Sequence, residues 1–232
     1  MKKPFSRAAL VAGLALTVAA AVLAGSALAA GKPAVKATHR ADDTKSVIAV
    51  LGDFPYGLTN ADVAQSNAAP AFIKRINQDP DVSMVVHVGD IHSGKQQCTQ
   101  AYDEAISRIF SGFVDPLVYT PGDNEWADCN KSGQGGGAYN TTTKKIELSV
   151  DTNGIPQSFA GGSPIANLWL VRQLFFAKPG TTLGKNAMQV DSQGVKYDTA
   201  HPTDAQFVEN VMFEKSGVLF VTINTPGGSN ND

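Results

Sequence analysis

Cysteine, histidine and positive charge are all scarce in this chain. Only 17% of its 232 residues are charged, Lys and Arg number 19 against 21 Asp and Glu, and there are two cysteines and four histidines. No stretch gathers basic residues into a patch, which excludes the electrostatic footprint of a nucleic-acid-binding protein. Two cysteines are too few for a thiolate metal site, which needs more ligands of that type. Disorder is excluded from the other side, because 43% of the chain is apolar.

What the chain does have begins at its N-terminus. Lys2, Lys3 and Arg7 form a basic start, Ala8 to Ala24 is an apolar run without a charge, and Ala27-Leu28-Ala29 supplies small residues for cleavage. Together they read as a secretory signal peptide over residues 1–29. The alternative is an uncleaved anchor, because the apolar run is near the short limit for a membrane span. Cleavage after Ala29 leaves 203 residues and removes three positive charges, taking the formal net charge from −2 to −5. The mature protein is then expected to be exported, periplasmic or secreted, with no stable membrane anchor. Cys98 and Cys129 both follow the cleavage point and are expected to pair in an oxidising compartment. The closed loop is credited by chain entropy with roughly 3 to 4 kcal/mol. A mature chain of about 200 residues suffices for one domain with a real core.

Residues 30–45 are polar and without periodicity, so they read as a flexible segment in which His39 is solvated. Regular structure starts at Ser46. SVIAVLGD, VSMVVHVGD and PLVYTPGD read as strands, the first two buried on both faces. Between them, two helices are predicted. The first covers Ala69 to Asn77, with Pro70 in its first turn and Phe72, Ile73 and Ile76 at helical spacing. The second covers Gln100 to Phe110, with Tyr102, Ile106, Ile109 and Phe110 on one side. This order implies an α/β fold built on a parallel sheet. Residues 130–162 are turn and loop material with at most one short strand, IELSV, and read as a surface excursion within a domain spanning 46–232. A third helix is predicted over Pro164 to Ala177, ended by Lys178-Pro179-Gly180, and GVLFVTIN at 217–224 reads as another buried strand.

Three strands end in the same dipeptide, at Gly52-Asp53, Gly89-Asp90 and Gly122-Asp123, spaced 37 and 33 residues apart. Each spacing is about one strand–helix–strand unit. An open parallel sheet therefore brings all three aspartates to its carboxyl edge, where ligand sites form. The glycines let the backbone turn away and leave room for a ligand. Three converging carboxylates repel one another unless something positive lies between them, and a pair of metal ions bridged by one carboxylate is the natural solution. A single Gly-Asp is as readily a turn whose aspartate caps the next helix. Three in register behind apolar strands favour a site.

These residues resemble the calcineurin-like metallophosphoesterases, a superfamily that includes the purple acid phosphatases. Its pattern runs Asp-x-His, Gly-Asp-x-x-Asp, Gly-Asn-His-Glu or Asp, then a lone histidine and Gly-His-x-His. Here GDFPYG, VGDIHSGKQQC and PGDNEWADC, with LVRQLFFAKPGTTLG downstream, are similar to an exported bacterial branch of that superfamily. The resemblance implies a β-sandwich flanked by helices, two divalent or trivalent ions of the Fe, Mn or Zn class, and hydrolysis of a small phosphate ester. It implies metal-ligand roles for Asp53, for Asp90 as the bridging carboxylate, and for Asp123 in place of an asparagine.

The departures from the pattern are specific. Pro55 stands where the family has its first histidine, beside Tyr56, which is either a phenolate ligand or a packed aromatic. Ser93 replaces the family's aspartate or tyrosine. Asn124 replaces the histidine near the leaving group. It can donate to a phosphoryl oxygen but cannot deliver a proton at neutral pH, a contribution of typically about 10² to 10⁴ in rate. His92 is the candidate acid or ligand, or else an ordinary hydrogen-bonded loop histidine. Glu125 is expected to orient its neighbours from behind the ligands, and His87 to be a core histidine. No late histidine motif follows, and the last histidine is His201 in a polar loop. The chain is therefore expected to end before the family's fold does, with the second half of the sandwich incomplete, metal affinity weak and a sheet edge exposed. Two functions compete. One is an exported metal-dependent phosphoesterase of weak or absent activity; the other is a non-catalytic exported binding protein.

Overall fold

The computed structural model describes residues 46–57, 60–131, 138–140, 142–147, 152–153 and 158–225. The expected signal peptide over 1–29, the 30–45 segment and part of the 130–162 excursion lie outside the described residues. Strands β1 (Val47–Leu51), β2 (Val82–His87) and β3 (Leu117–Tyr119) form a parallel sheet in that order. β2 is central and covered on both sides, as its unbroken apolar run predicts.

β1 corrects the expectation of burial on both faces, since Val47 is 50% and Val50 64% exposed. Alternation sends Ala49 and Leu51 to the helical layer and Ile48 to the opposite layer, which leaves Val50 uncovered.

Helices α1 (Asn60–Gln78), α2 (Gln100–Phe110) and α3 (Pro164–Phe175) share one apolar cluster with the first face of this sheet. α1 starts well before the predicted Ala69, so Pro70 is interior rather than in the first turn. The small buried residues Ser66 and Ala69, followed by Ile73 one turn on, let α1 lie close to the sheet. α2 has the predicted limits. Thr99 caps it by accepting from the Tyr102 amide at 3.3 Å, and Tyr102, Ile106, Ile109 and Phe110 are buried. Ser163 caps α3, Pro164 opens it, and it stops at Phe175, two residues before the predicted Ala177.

Strands β4 (Ala138–Asn140) and β5 (Lys145–Glu147) pair as a hairpin inside the excursion, where at most one strand was expected. β6 (Asp191–Ser192), β7 (Val211–Lys215) and β8 (Val218–Thr222) form an antiparallel sheet. Its Val211, Phe213 and Phe220 pack on Met84 and Val118 across the second face of the parallel sheet. The Phe213 and Phe220 rings stack at 5.0 Å. The architecture is thus an α/β sandwich with helices on one side.

β8 corrects the expectation of a buried strand. Only Phe220 and Thr222 turn inward, while Leu219, Val221 and Ile223 are exposed on the outer face. Among the described residues β8 pairs with β7 alone. Among the described residues no helix is long and apolar enough to cross a membrane.

Candidate functional site

The parallel ladder continues past the strand ends and sets the site. Val88 N donates to Leu51 O at 2.8 Å, Thr120 N to His87 O at 2.9 Å, and Asp53 N to Gly89 O at 3.1 Å. Three Gly-Asp corners are thereby held side by side. Asp53, Asp90 and Asp123 line one cleft of about 340 Å³, together with Thr120, Ile223 and Thr225.

The corners are tight for a reason the sequence did not reveal. Asp53 and Asp90 themselves take left-handed backbone angles, with φ of 51° and 58°, a conformation aspartate tolerates better than most residues. The glycines at 89 and 122 serve chiefly to let two backbones meet. A Cβ at Gly89 would lie 2.5 Å from Gly122 N, and one at Gly122 would lie 2.6 Å from Asp90 N and overlap Asp90 Oδ1.

Glu125 holds these corners from below. Fully buried, its Oε1 accepts from Ile91 N at 3.0 Å, Gly122 N at 3.1 Å and the Tyr119 hydroxyl at 2.9 Å. Burial raises its pKa, against the opposing pull of His92 and these donors. This is the orienting role expected of it.

His87 is a satisfied core histidine, as expected. Gly89 N donates to its Nδ1 at 3.1 Å, which puts the proton on Nε2, 2.7 Å from Phe54 O. Burial lowers its pKa to about 4, so the ring is neutral at physiological pH.

His92 is also fully buried and does not line the cleft. Its Nε2 lies 2.6 Å from Asp103 Oδ1, and its ring packs edge-on against Tyr102 at 4.7 Å. Burial lowers its pKa, but the charge and hydrogen bond of Asp103 outweigh that and raise it overall. Asn124 is outside the cleft lining as well, its Nδ2 donating to His92 O at 3.2 Å. Cys98 and Cys129 are bonded, with Cα atoms 5.6 Å apart, and both sulfurs lie near Asn124 O, at 3.4 and 3.9 Å.

Tyr56 is turned toward the site rather than packed away. Its hydroxyl donates to Asp53 Oδ1 at 2.5 Å. Burial and the Asp53 carboxylate push the phenol well above its ordinary pKa, so it keeps its proton.

Sequence reasoning missed the Asp103 partner of His92, and one signal was present. Asp103 is a lone acid on the buried stripe of α2, beside Tyr102 and Ile106, and a charge there calls for a partner. Ile223 and Thr225 carried no such signal, because their place depends on how the second sheet stacks on the first.

The donors fit a cation in kind. Asp90 Oδ1 is buried and has no hydrogen-bond partner. Burial, then the charges of Glu125, Asp123 and Asp53, push Asp90 up to about 7, the mark of carboxylates crowded without a counter-ion. They are spread around the cleft rather than gathered at a point: among the described residues no group of three or more His, Cys, Asp or Glu is placed to hold one ion.

Searches against the curated proteins and the solved structures give no match. The family profile described as calcineurin-like phosphoesterase does match, over residues 46–217, a span that runs from the start of β1 to the β7–β8 turn. With three Gly-Asp corners aligned on one sheet edge and that profile covering most of its length, the chain belongs to the calcineurin-like phosphoesterase family.

Proposed function

We propose that the protein is an exported, metal-dependent hydrolase of phosphate esters, working at the cleft between Asp53, Asp90 and Asp123. The observation that carries this reading is the delivery of three carboxylates to one sheet edge, one with a buried oxygen that lacks a partner. The family usually binds divalent metals. In this reading there are two ions, of the Fe, Mn or Zn class, held by the three aspartates. They supply Lewis acidity and an activated water.

The chain's own residues do the positioning. The Tyr56 hydroxyl occupies Asp53 Oδ1 and leaves the second oxygen for an ion. Glu125 fixes the Asp90 and Asp123 corners relative to one another. Asn124 spends one amide hydrogen on His92 O, outside the cleft lining, and so ties the third corner to the loop that carries Asp90. His92, paired with Asp103, anchors the loop that carries Asp90 and so acts through Asn124 rather than on substrate. The buried Cys98–Cys129 bridge supports an oxidising, extracytoplasmic location.

A chelated sample supplied with Mn²⁺ or Zn²⁺ and assayed on p-nitrophenyl phosphate esters tests the proposal. Hydrolysis should appear with metal and vanish in Asp90→Asn. Metal bound without any turnover would instead favour a phosphate-ester-binding module. That second reading draws on Pro55 and Asn124, which stand where the family pattern has histidines.

A further inference from the structure

The LVRQLFF run of α3 reaches the cleft through a buried ion pair. Arg172, in the last turn of α3, forks onto Glu209, two residues before β7. Its Nε donates to Oε2 at 2.8 Å and its Nη2 to Oε1 at 2.6 Å. The Glu209 side chain is 1% exposed and that of Arg172 15%, and the guanidinium also lies 5.6 Å from the Phe207 ring. Two charges buried this deeply are held together by good bidentate geometry. The same carboxylate then holds the end of β8. Asn224 Nδ2 donates to Glu209 Oε1 at 3.1 Å, Asn224 N to Asn210 Oδ1 at 2.8 Å, and Thr222 Oγ1 to Glu209 O at 3.4 Å. The chain from Thr222 to Asn224 is pinned by backbone and side chains alike, and the next residue, Thr225, lines the cleft.

Hydrogen-bond donors are what the cleft has little of. Its three carboxylates, once ionised, only accept. Of its backbone amides, Gly89 N is committed to His87 Nδ1 and Gly122 N to Glu125. Those of Asp53, Val88 and Thr120 are committed to carbonyls of the strand ladder. Among the described lining residues, the side chains able to donate are Thr120 and Thr225. One follows β3 in the parallel sheet and the other follows β8 in the antiparallel sheet, so each sheet contributes one hydroxyl.

We propose, on the footing that this cleft binds phosphate esters, that the Thr120 and Thr225 hydroxyls donate to the phosphoryl oxygens. Glu209, acting through Asn224, is the positioning residue that sets Thr225. Phosphoryl oxygens that do not face a cation need donors, and the aspartates beside them can supply none. A donor held in place beforehand binds without the cost of ordering its loop. The Arg172–Glu209–Asn224 chain provides that order for Thr225, which follows the last residue of β8 by three positions.

Calorimetric binding of inorganic phosphate to the full chain in saturating Mn²⁺ tests this, beside the binding of Mn²⁺ itself. Thr225→Val and Thr120→Val keep the shape and lose the hydroxyl. Each should weaken phosphate about three- to tenfold and leave Mn²⁺ affinity within about twofold. Thr225→Ser should bind phosphate like wild type. Asn224→Ala keeps the Arg172–Glu209 pair, so it is expected to fold. It should cost as much phosphate affinity as Thr225→Val and add little to it in the double variant, which a general loosening would not do. Additive losses overturn the positioning role of Glu209. Phosphate that is lost in Asp90→Asn but indifferent to both valine variants overturns the inference and keeps the metal cleft. Mn²⁺ bound tightly by wild type with no uptake of phosphate sinks the phosphate-ester reading, and this inference with it.

Discussion

Ile91 and Glu125, 34 residues apart in sequence, are joined by a hydrogen bond of 3.0 Å from the Ile91 amide to the Glu125 carboxylate. The same oxygen accepts from Gly122 N and the Tyr119 hydroxyl. One buried acid therefore fixes the second and third aspartate corners to each other. The distance between Asp90 and Asp123 is a property of this staple rather than of either loop alone.

Removing the staple should be costly in a graded way. Glu125→Gln keeps an acceptor oxygen in place and should lower stability by no more than about 1 kcal/mol. Glu125→Ala strands three buried donors and should cost about 3 kcal/mol or more. Urea unfolding of the two variants checks this, and equal losses would contradict it.

Gly122 is predicted to be intolerant of even one methyl group. Its Cβ would meet Asp90 N at 2.6 Å and overlap the Asp90 carboxylate, and the obstruction is partly backbone, which cannot swing aside. Gly122→Ala should lose on the order of 1 to 3 kcal/mol and weaken metal binding together, read by thermal unfolding and metal titration. Gly161, whose Cβ would meet nothing within 4 Å, is the control for crowding, although its φ of 67° still disfavours a side chain.

The disulfide should matter to the site as well as to the fold. It closes a separation of 31 residues, so Cys98→Ser with Cys129→Ser should cost about 2 to 5 kcal/mol. Because both sulfurs abut the Asn124 backbone carbonyl, the NMR shift of the Glu125 backbone amide, which shares that peptide bond, should move on reduction, before global unfolding. An unchanged Glu125 backbone amide signal in the reduced, folded protein would count against this coupling.

His87 gives a pH dependence of defined sign. Its pKa falls from 6.5 to about 4 on folding, so the unfolded chain binds more protons between those values. Its contribution is fully present above pH 6.5 and is lost as pH falls toward 4, a loss of about 3 kcal/mol. Other buried groups titrate with the opposite sign, so the quantity to measure is the difference between wild type and His87→Phe. That difference should shrink as pH falls through this window. A ring proton on Nε2 and a neutral ring at pH 6, seen by NMR, would confirm the cause.

Much of this was legible in the sequence because strand ends and Gly-Asp corners are local signals. The limits of α2, the start of α3 at Pro164, the Cys98–Cys129 pair and the core role of His87 all rest on neighbours within a few residues or on simple counting. What was not legible depended on how layers stack. SVIAVL and GVLFVTIN have the composition of doubly buried strands, yet Val50, Leu219, Val221 and Ile223 are exposed, because composition cannot say which strand is an edge. The left-handed backbones of Asp53 and Asp90 were hidden behind the glycines that precede them. Pro70 looked like a helix start and is interior, since the Ala- and Ser-containing segment before it is helical too.

The central claim is that Asp53, Asp90 and Asp123 form one cation-binding cleft. Calorimetric titration of the chelated protein with Mn²⁺, beside Asp90→Asn, tests it most directly. The account predicts saturable binding in wild type, weakened at least about tenfold in Asp90→Asn with the fold intact. Binding of equal strength in both proteins, or none in a folded wild type, would contradict it.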